Sequence, residues 1–143
     1  MQTIVPMLAY EDGVGAIGWL TRAFGFHENA AARHTDAEGR IGHAELDVGD
    51  GSVIFVAMPS PHYEGPKRHR ESCDVARRWL ENPWVVDGLM IHVDDVDAHA
   101  ERARAAGAAI LRGPENVENV GRLYTAEDVE GHRWMFVQPP GSG

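Results

Sequence analysis

An apolar stretch, an acidic turn, an amphipathic segment and a closing glycine occur twice in this chain, and few folds accommodate such a repeat. Thr3 to Tyr10 (TIVPMLAY) ends at Glu11-Asp12-Gly13, after which Val14, Ile17, Leu20 and Phe24 recur at helical spacing before Gly25. Gly88 to Val93 (GLMIHV) meets Asp94-Asp95, and Val96, Ala100, Ala103 and Ala106 then share one helical face before Gly107. Asp12 and Asp95 lie 83 residues apart. Each half also holds a hairpin pattern. Arg40 to Val48 and Ser52 to Ala57 flank Gly49-Asp50-Gly51, while Arg122 to Glu127 and Arg133 to Gln138 flank Asp128-Val129-Glu130-Gly131. Gly39-Arg40-Ile41 answers Gly121-Arg122-Leu123, and Ala44-Glu45 answers Ala126-Glu127, both at an offset of 82. That period is too long for a solenoid unit and indicates a duplicated supersecondary module.

Residues 1–138 therefore read as a single domain of two modules, about 1–58 and 88–138, with 139–143 as a flexible tail. Between them, the insert 59–87 opens with Pro59, Pro61, Gly65 and Pro66, then offers a helix capped by Ser72 that runs through Leu80 and stops at Asn82-Pro83. Val75, Ala76, Trp79 and Leu80 form its apolar side, and a segment this long is expected to pack on the chain's own cleft or on a partner. Trp19 and Trp134 read as core residues, and Trp79 and Trp84 as caps over a pocket or an interface.

Composition excludes several function classes. At 143 residues with 43% hydrophobic and 24% charged content, the chain can bury an ordinary globular core. A net charge of -9 opposes nucleic-acid binding, which draws its affinity from Lys and Arg. The basic run Lys67 to Arg70 with Arg77 and Arg78 is local; it could serve an anionic ligand or an acidic surface of a partner, and a solvated face is the more common explanation. No apolar run approaches the roughly 18 residues of a membrane span. The start lacks a basic, cleavable leader, so a cytoplasmic location with no membrane partner is expected. Cys73 is the only cysteine, and its acidic neighbours Glu71 and Asp74 disfavour a reactive thiolate.

Three segments carry a resemblance to a known family: Asp12 to Phe26 (DGVGAIGWLTRAFGF), Val93 to Ala108 (VDDVDAHAERARAAGA) and Asp128 to Phe136 (DVEGHRWMF). With the duplicated spacing, the chain resembles the vicinal oxygen chelate superfamily of glyoxalases, bleomycin-resistance proteins and dioxygenases. The resemblance implies an α+β fold of two tandem βαβββ modules, each curling into a half-barrel around a ligand cleft. It also implies a homodimer. Metal enzymes of that family place His and Glu ligands on the first and fourth strands of each module, positions that fall here on Val5, Gly88, Phe55 and Met135. Three of these lack a side-chain donor and the fourth is a soft thioether, so neither a metal nor another cofactor is expected.

The remaining polar chemistry is sparse. His43 and Glu45 alternate on one strand and share a face, which is Phe55's face if the Gly49-Asp50-Gly51 turn is odd in length and the opposite one if it has two residues. His92 shares parity with Gly88 and Met90. Arg122 and Tyr124 open the penultimate strand, where look-alike sequences border the cleft. Arg122 could hold an anionic group or pair with Glu118 or Asp128. His132 shares parity with Trp134 and Phe136 and suits a structural role, whereas His27, His34, His62, His69 and His99 read as surface. The expected function is metal-free binding of a small organic molecule in an apolar cleft, with His43, Glu45, Phe55, His92, Arg122, Tyr124 and Met135 as ligand-binding candidates. The alternative is a lyase, isomerase or dioxygenase that uses a displaced metal site or the His43/Glu45 pair as acid and base. An interaction domain whose insert docks a partner is a third reading.

Overall fold

The computed structural model describes residues 2–82 and 87–141; Trp84 lies outside them. The chain divides into two compact units, Met1–Gly65 and Pro66–Gly143, so the helices of the insert belong with the second half.

In the first unit β1 (Met7–Ala9) leads to α1 (Gly13–Phe24), short β2 (His27–Glu28) and β3 (His34–Thr35), then the hairpin β4 (Ile41–Gly49) and β5 (Ser52–Ala57). The sheet runs β1-β5-β4-β2, with β3 also on β4 and β1 parallel to β5. α1 starts where the acidic turn predicts, because the Asp12 carboxylate accepts the Gly15 N–H at 2.9 Å. A Cβ on Gly15 would lie 2.3 Å from that carboxylate, so any larger residue there would displace the capping side chain. Gly25 ends the helix with φ 75°, its N–H donating to the Thr21 carbonyl at 3.2 Å. Ile17, Leu20 and Phe24 are buried as expected, together with Trp19, whereas Val14 is exposed. Each such side chain contributes about 1.5–3 kcal/mol when fully buried.

The second unit repeats the plan with β6 (Gly88–His92), α4 (Val96–Ala105), β7 (Ala109–Val117), β8 (Gly121–Glu127) and β9 (Arg133–Gln138), in the order β6-β9-β8-β7 with β6 parallel to β9. Asp95 caps α4 by accepting the Ala98 N–H at 3.1 Å. The two-module α+β reading therefore holds in both units. β7 is the element the sequence conceals. Its Gly113-Pro114 reads as a turn, yet β7 is an edge strand with register shifts on either side of Arg112, where proline is tolerated.

The segment DVEGHRW has a local explanation. Asp128 is buried, and its Oδ1 accepts the backbone N–H groups of Glu130 and His132, each at 3.0 Å, while Oδ2 accepts the Trp134 indole N–H at 3.0 Å. One carboxylate thus shapes the β8–β9 turn and anchors a core tryptophan. At Gly131, with φ 93°, a Cβ would come within 2.7 Å of the Lys67 nitrogen, and Lys67 N–H donates to Glu130 O at 3.0 Å. The insert is seated on this turn.

The insert forms two helices, α2 (Pro66–Ser72) and α3 (Asp74–Trp79), rather than one beginning at Ser72. Half-buried Cys73 occupies the break between them. The basic run Lys67 to Arg70 is helical, and half-buried Arg70 is engaged within the chain: it forks onto Glu127 at 2.5 and 3.0 Å. Arg133 donates to the same carboxylate at 3.0 Å and to the carbonyls of Asn82 and Leu80 at 2.6 and 2.5 Å. The insert therefore packs on its own chain through a buried charge network. Glu127→Ala should destabilise the protein by about 3–5 kcal/mol, because Arg133 and Arg70 would lose their counter-charge. Urea unfolding that shows a loss below about 1 kcal/mol would mean that the clamp is not structural.

Candidate functional site

Period-two alternation sorts each sheet into a helix face and a face turned away from the helix. In the first unit Ala44, Leu46, Ile54 and Val56 are fully buried, which leaves His43, Glu45, Val53, Phe55 and Ala57 half-buried on the other face. In the second unit Tyr124 stacks on Phe136, and His99 of α4 lies 4.2 Å from Phe136 between ring centroids. Thr125, Arg133, Met135 and Val137 therefore face away from α4.

The turn that decides Glu45's face is a two-residue loop, Asp50-Gly51, with φ of 50° and 77°. Taken alone, it would turn Glu45 away from Phe55. A bulge between Asp47 and Gly49 adds one residue to β4 and restores the parity, so Glu45 sits directly across from Phe55. His43 Nε2 lies 3.3 Å from Glu45 Oε1, and its ring meets Phe55 edge-on at 4.7 Å. His34 is exposed, as expected, but lies on a strand: β3 places it opposite His43, with ring centroids 6.2 Å apart. The structure thus brings His43, Glu45 and Phe55 together and adds His34.

Register sets other first-strand residues across from Phe55 and Met135. Met7 pairs with Phe55 and Met90 with Met135, each two residues beyond Val5 and Gly88 in sequence. The two units then present matching rows, Met7–Phe55–Glu45 and Met90–Met135–Thr125. Gly88 lies instead in the row of Arg133 and Glu127, at the clamped end. Neither set of positions offers the nitrogen and carboxylate donors of a hard divalent ion, so the family's metal does not fit this donor set. Among the described residues, no three His, Cys, Asp or Glu side chains converge to hold an ion.

Met135 and His92 lie on the second unit's outer face, His92 exposed and paired with Val137. Arg122 and Tyr124 do not join them. Tyr124 is fully buried on the helix face, with its hydroxyl 2.6 Å from His99 Nδ1, and burial pushes its phenol well above the usual range. Arg122 points the same way and forks onto Asp97 with two 2.8 Å hydrogen bonds, which hold that carboxyl below its ordinary range. The pairing acid lies in the first turn of α4, and is neither Glu118 nor Asp128. Arg122 and Tyr124 thus both lie on the α4 side of the sheet, and strand parity alone, counted from Trp134 and Phe136, assigns Tyr124 to the core side. The same parity could have revealed Thr125, Arg133 and Glu127, which the sequence reading passed over.

The comparisons agree with this architecture. The family described as the Glyoxalase/Bleomycin resistance protein/Dioxygenase superfamily matches residues 5–136. An uncharacterised protein of Mycobacterium bovis is 28% identical over 138 residues, covering 94% of this chain and 81% of its own length. The crystal structure of TioX from Micromonospora sp. ML1 is similar at TM-score 0.67 and 33% identity, with 94% of each chain covered. TnmS3, an antibiotic binding protein from Streptomyces sp. CB03234, shares the fold at TM-score 0.60 and 21% identity over 97% of this chain and 99% of its own. With the duplicated modules, the matched register and a family match that spans both units, this chain belongs to the Glyoxalase/Bleomycin resistance protein/Dioxygenase superfamily.

Proposed function

We propose that the protein binds a small, largely apolar organic molecule without a metal, using the strand faces turned away from α1 and α4. The observation that carries this reading is the pair of rows Met7–Phe55–Glu45 and Met90–Met135–Thr125, which put thioether and aromatic surface at and beside Phe55 and Met135, the fourth-strand positions where the family's metal enzymes are expected to place ligands. Met7 and Met90 are 80% and 57% exposed, an unusual placement for apolar side chains of edge strands unless something covers them. Methionine is polarisable and conformationally adaptable, and suits contact with flat aromatic ligands. That TnmS3 is an antibiotic binding protein supports ligand binding as the activity. Removing apolar surface from water supplies roughly 25 cal/mol per Å², from which ordering costs are subtracted.

A second reading rests on the His43–Glu45 contact at 3.3 Å, where the carboxylate could orient the imidazole for proton transfer. It is favoured if a bound compound is converted by the wild type and left unchanged by His43→Ala. We also place the protein in the cytoplasm as a homodimer. Exposed Ile4, Met7, Val75 and Trp79 support the association. Among the described residues, no helix is long and apolar enough to cross a membrane.

Three outcomes are expected. Protein purified without chelator should carry no stoichiometric nickel, zinc or manganese by elemental analysis; one ion per chain, bound with sub-micromolar affinity and lost in His43→Ala or His92→Ala, would replace this reading with a metal enzyme. Fluorescence titration with 2-acetylnaphthalene should weaken about tenfold in Phe55→Ala or Met135→Ala, whereas Arg122→Ala and Tyr124→Phe stay within about twofold because both side chains face α4. Equal losses in both groups would place the ligand elsewhere. Sedimentation at micromolar concentration should return twice the chain mass, and a monomer there would remove the dimer.

A further inference from the structure

The face of the second sheet turned away from α4 contains a buried hydroxyl that no described residue uses. Thr125 is 3% exposed, and its Oγ1 has no hydrogen-bond partner among the described residues. A strand residue in the middle of a sheet needs no hydroxyl, since valine has the same shape and fits a pleated surface at least as well. An unmatched buried hydroxyl costs free energy, and in native proteins it calls for a specific cause. The first unit supplies a contrast, because Glu45, which holds the matching place across from Phe55, is engaged by His43.

The surroundings of Thr125 describe what could use it. Across β9 the same row passes to half-buried Met135 and then to exposed Met90, so the strands that carry two flexible thioether chains lie between Thr125 and the β6 edge of the sheet. Methionine has three rotatable bonds and moves aside without backbone change. Across the other edge of β8, Arg112 is the register partner of Thr125, and it pairs with Glu115, which lies one row further along opposite Leu123. The positive end of that ion pair is thus the end next to Thr125. A positive neighbour favours a ligand atom that carries negative partial charge, with the threonine hydroxyl as donor.

We propose that Thr125 is a specificity-determining residue, whose hydroxyl donates to an acceptor oxygen of a flat apolar ligand lying across Met90 and Met135. The ligand class is then an aromatic or polycyclic ketone, quinone or amide rather than a plain hydrocarbon. This rests on the binding function proposed above and narrows it.

Two isosteric probes separate the ideas: 2-acetylnaphthalene, which presents a carbonyl oxygen, and 2-isopropenylnaphthalene, which replaces it with a methylene group. Each is titrated by calorimetry against wild type, Thr125→Val and Thr125→Ser. The ratio of the two dissociation constants, taken as hydrocarbon over ketone, should fall about tenfold in Thr125→Val and stay near the wild-type value in Thr125→Ser, which keeps the hydroxyl. Thr125→Val should also melt at or above the wild-type temperature without ligand, since it removes an unmatched polar group. An unchanged ratio in Thr125→Val, with both probes still bound, overturns the role of Thr125 and leaves apolar binding intact. A lowered melting temperature with an unchanged ratio likewise shows that the hydroxyl serves the fold. If neither probe binds the wild type, the binding function falls and takes this inference with it.

Discussion

Strand alternation, pinned by the parallel pairing of first and last strands in each module, governs which side chains this protein can present to anything outside its core. Met7 opposite Phe55 and Met90 opposite Met135 fix two registers, and every neighbouring position follows at a period of two. In the first sheet one bulge carries the consequence. The Asp50-Gly51 loop would turn His43 and Glu45 toward α1, where two polar groups would meet the packed side of Leu46 and Val56; the extra residue between Asp47 and Gly49 sends them outward instead. A buried polar pair there would cost several kcal/mol.

The two outer faces differ in what closes them. In the second unit, Glu127 lies between Arg133 and Arg70, and Arg133 also binds the carbonyls that follow α3. This places charge, fully matched by hydrogen bonds, beside Gly88. Along the strands this face runs from a charged stop at one end, through thioethers and a threonine in the middle, to His92 toward the other end. The first unit has no such clamp among its described residues and offers aromatic and imidazole edges instead.

Much of this was legible in the sequence because the signals are local. Asp12 and Asp95 cap helices through contacts three residues away, the apolar stripes follow from helical periodicity, and both hairpins have bounded turns. The pieces that escaped depend on distance or on irregular pairing. Arg70 and Glu127 are 57 residues apart, and nothing in the basic run marks one arginine as the partner of a buried carboxylate. Tyr124 finds His99 across 25 residues, and Arg122 finds Asp97 across the same interval, so neither partner could be chosen by proximity. A bulge leaves only a weak trace in composition, which is why the face of Glu45 stayed open until the register was seen. Thr125 is inconspicuous for a different reason: threonine is ordinary in strands, and only a structure reveals that its hydroxyl is unmatched.

The central claim is that an organic ligand, and not a metal ion, occupies the methionine-bearing face. Methyl NMR of protein carrying carbon-13 in its methionine methyl groups tests it most directly, since Met7, Met90 and Met135 lie on the proposed faces and Met58 lies past the end of β5. On titration with 2-acetylnaphthalene, the methyl signals of Met90 and Met135 should shift together and saturably while Met58 stays still, and manganese should broaden none of them selectively. Selective broadening of these methyls by manganese at one equivalent, with no response to the ketone, would contradict the claim.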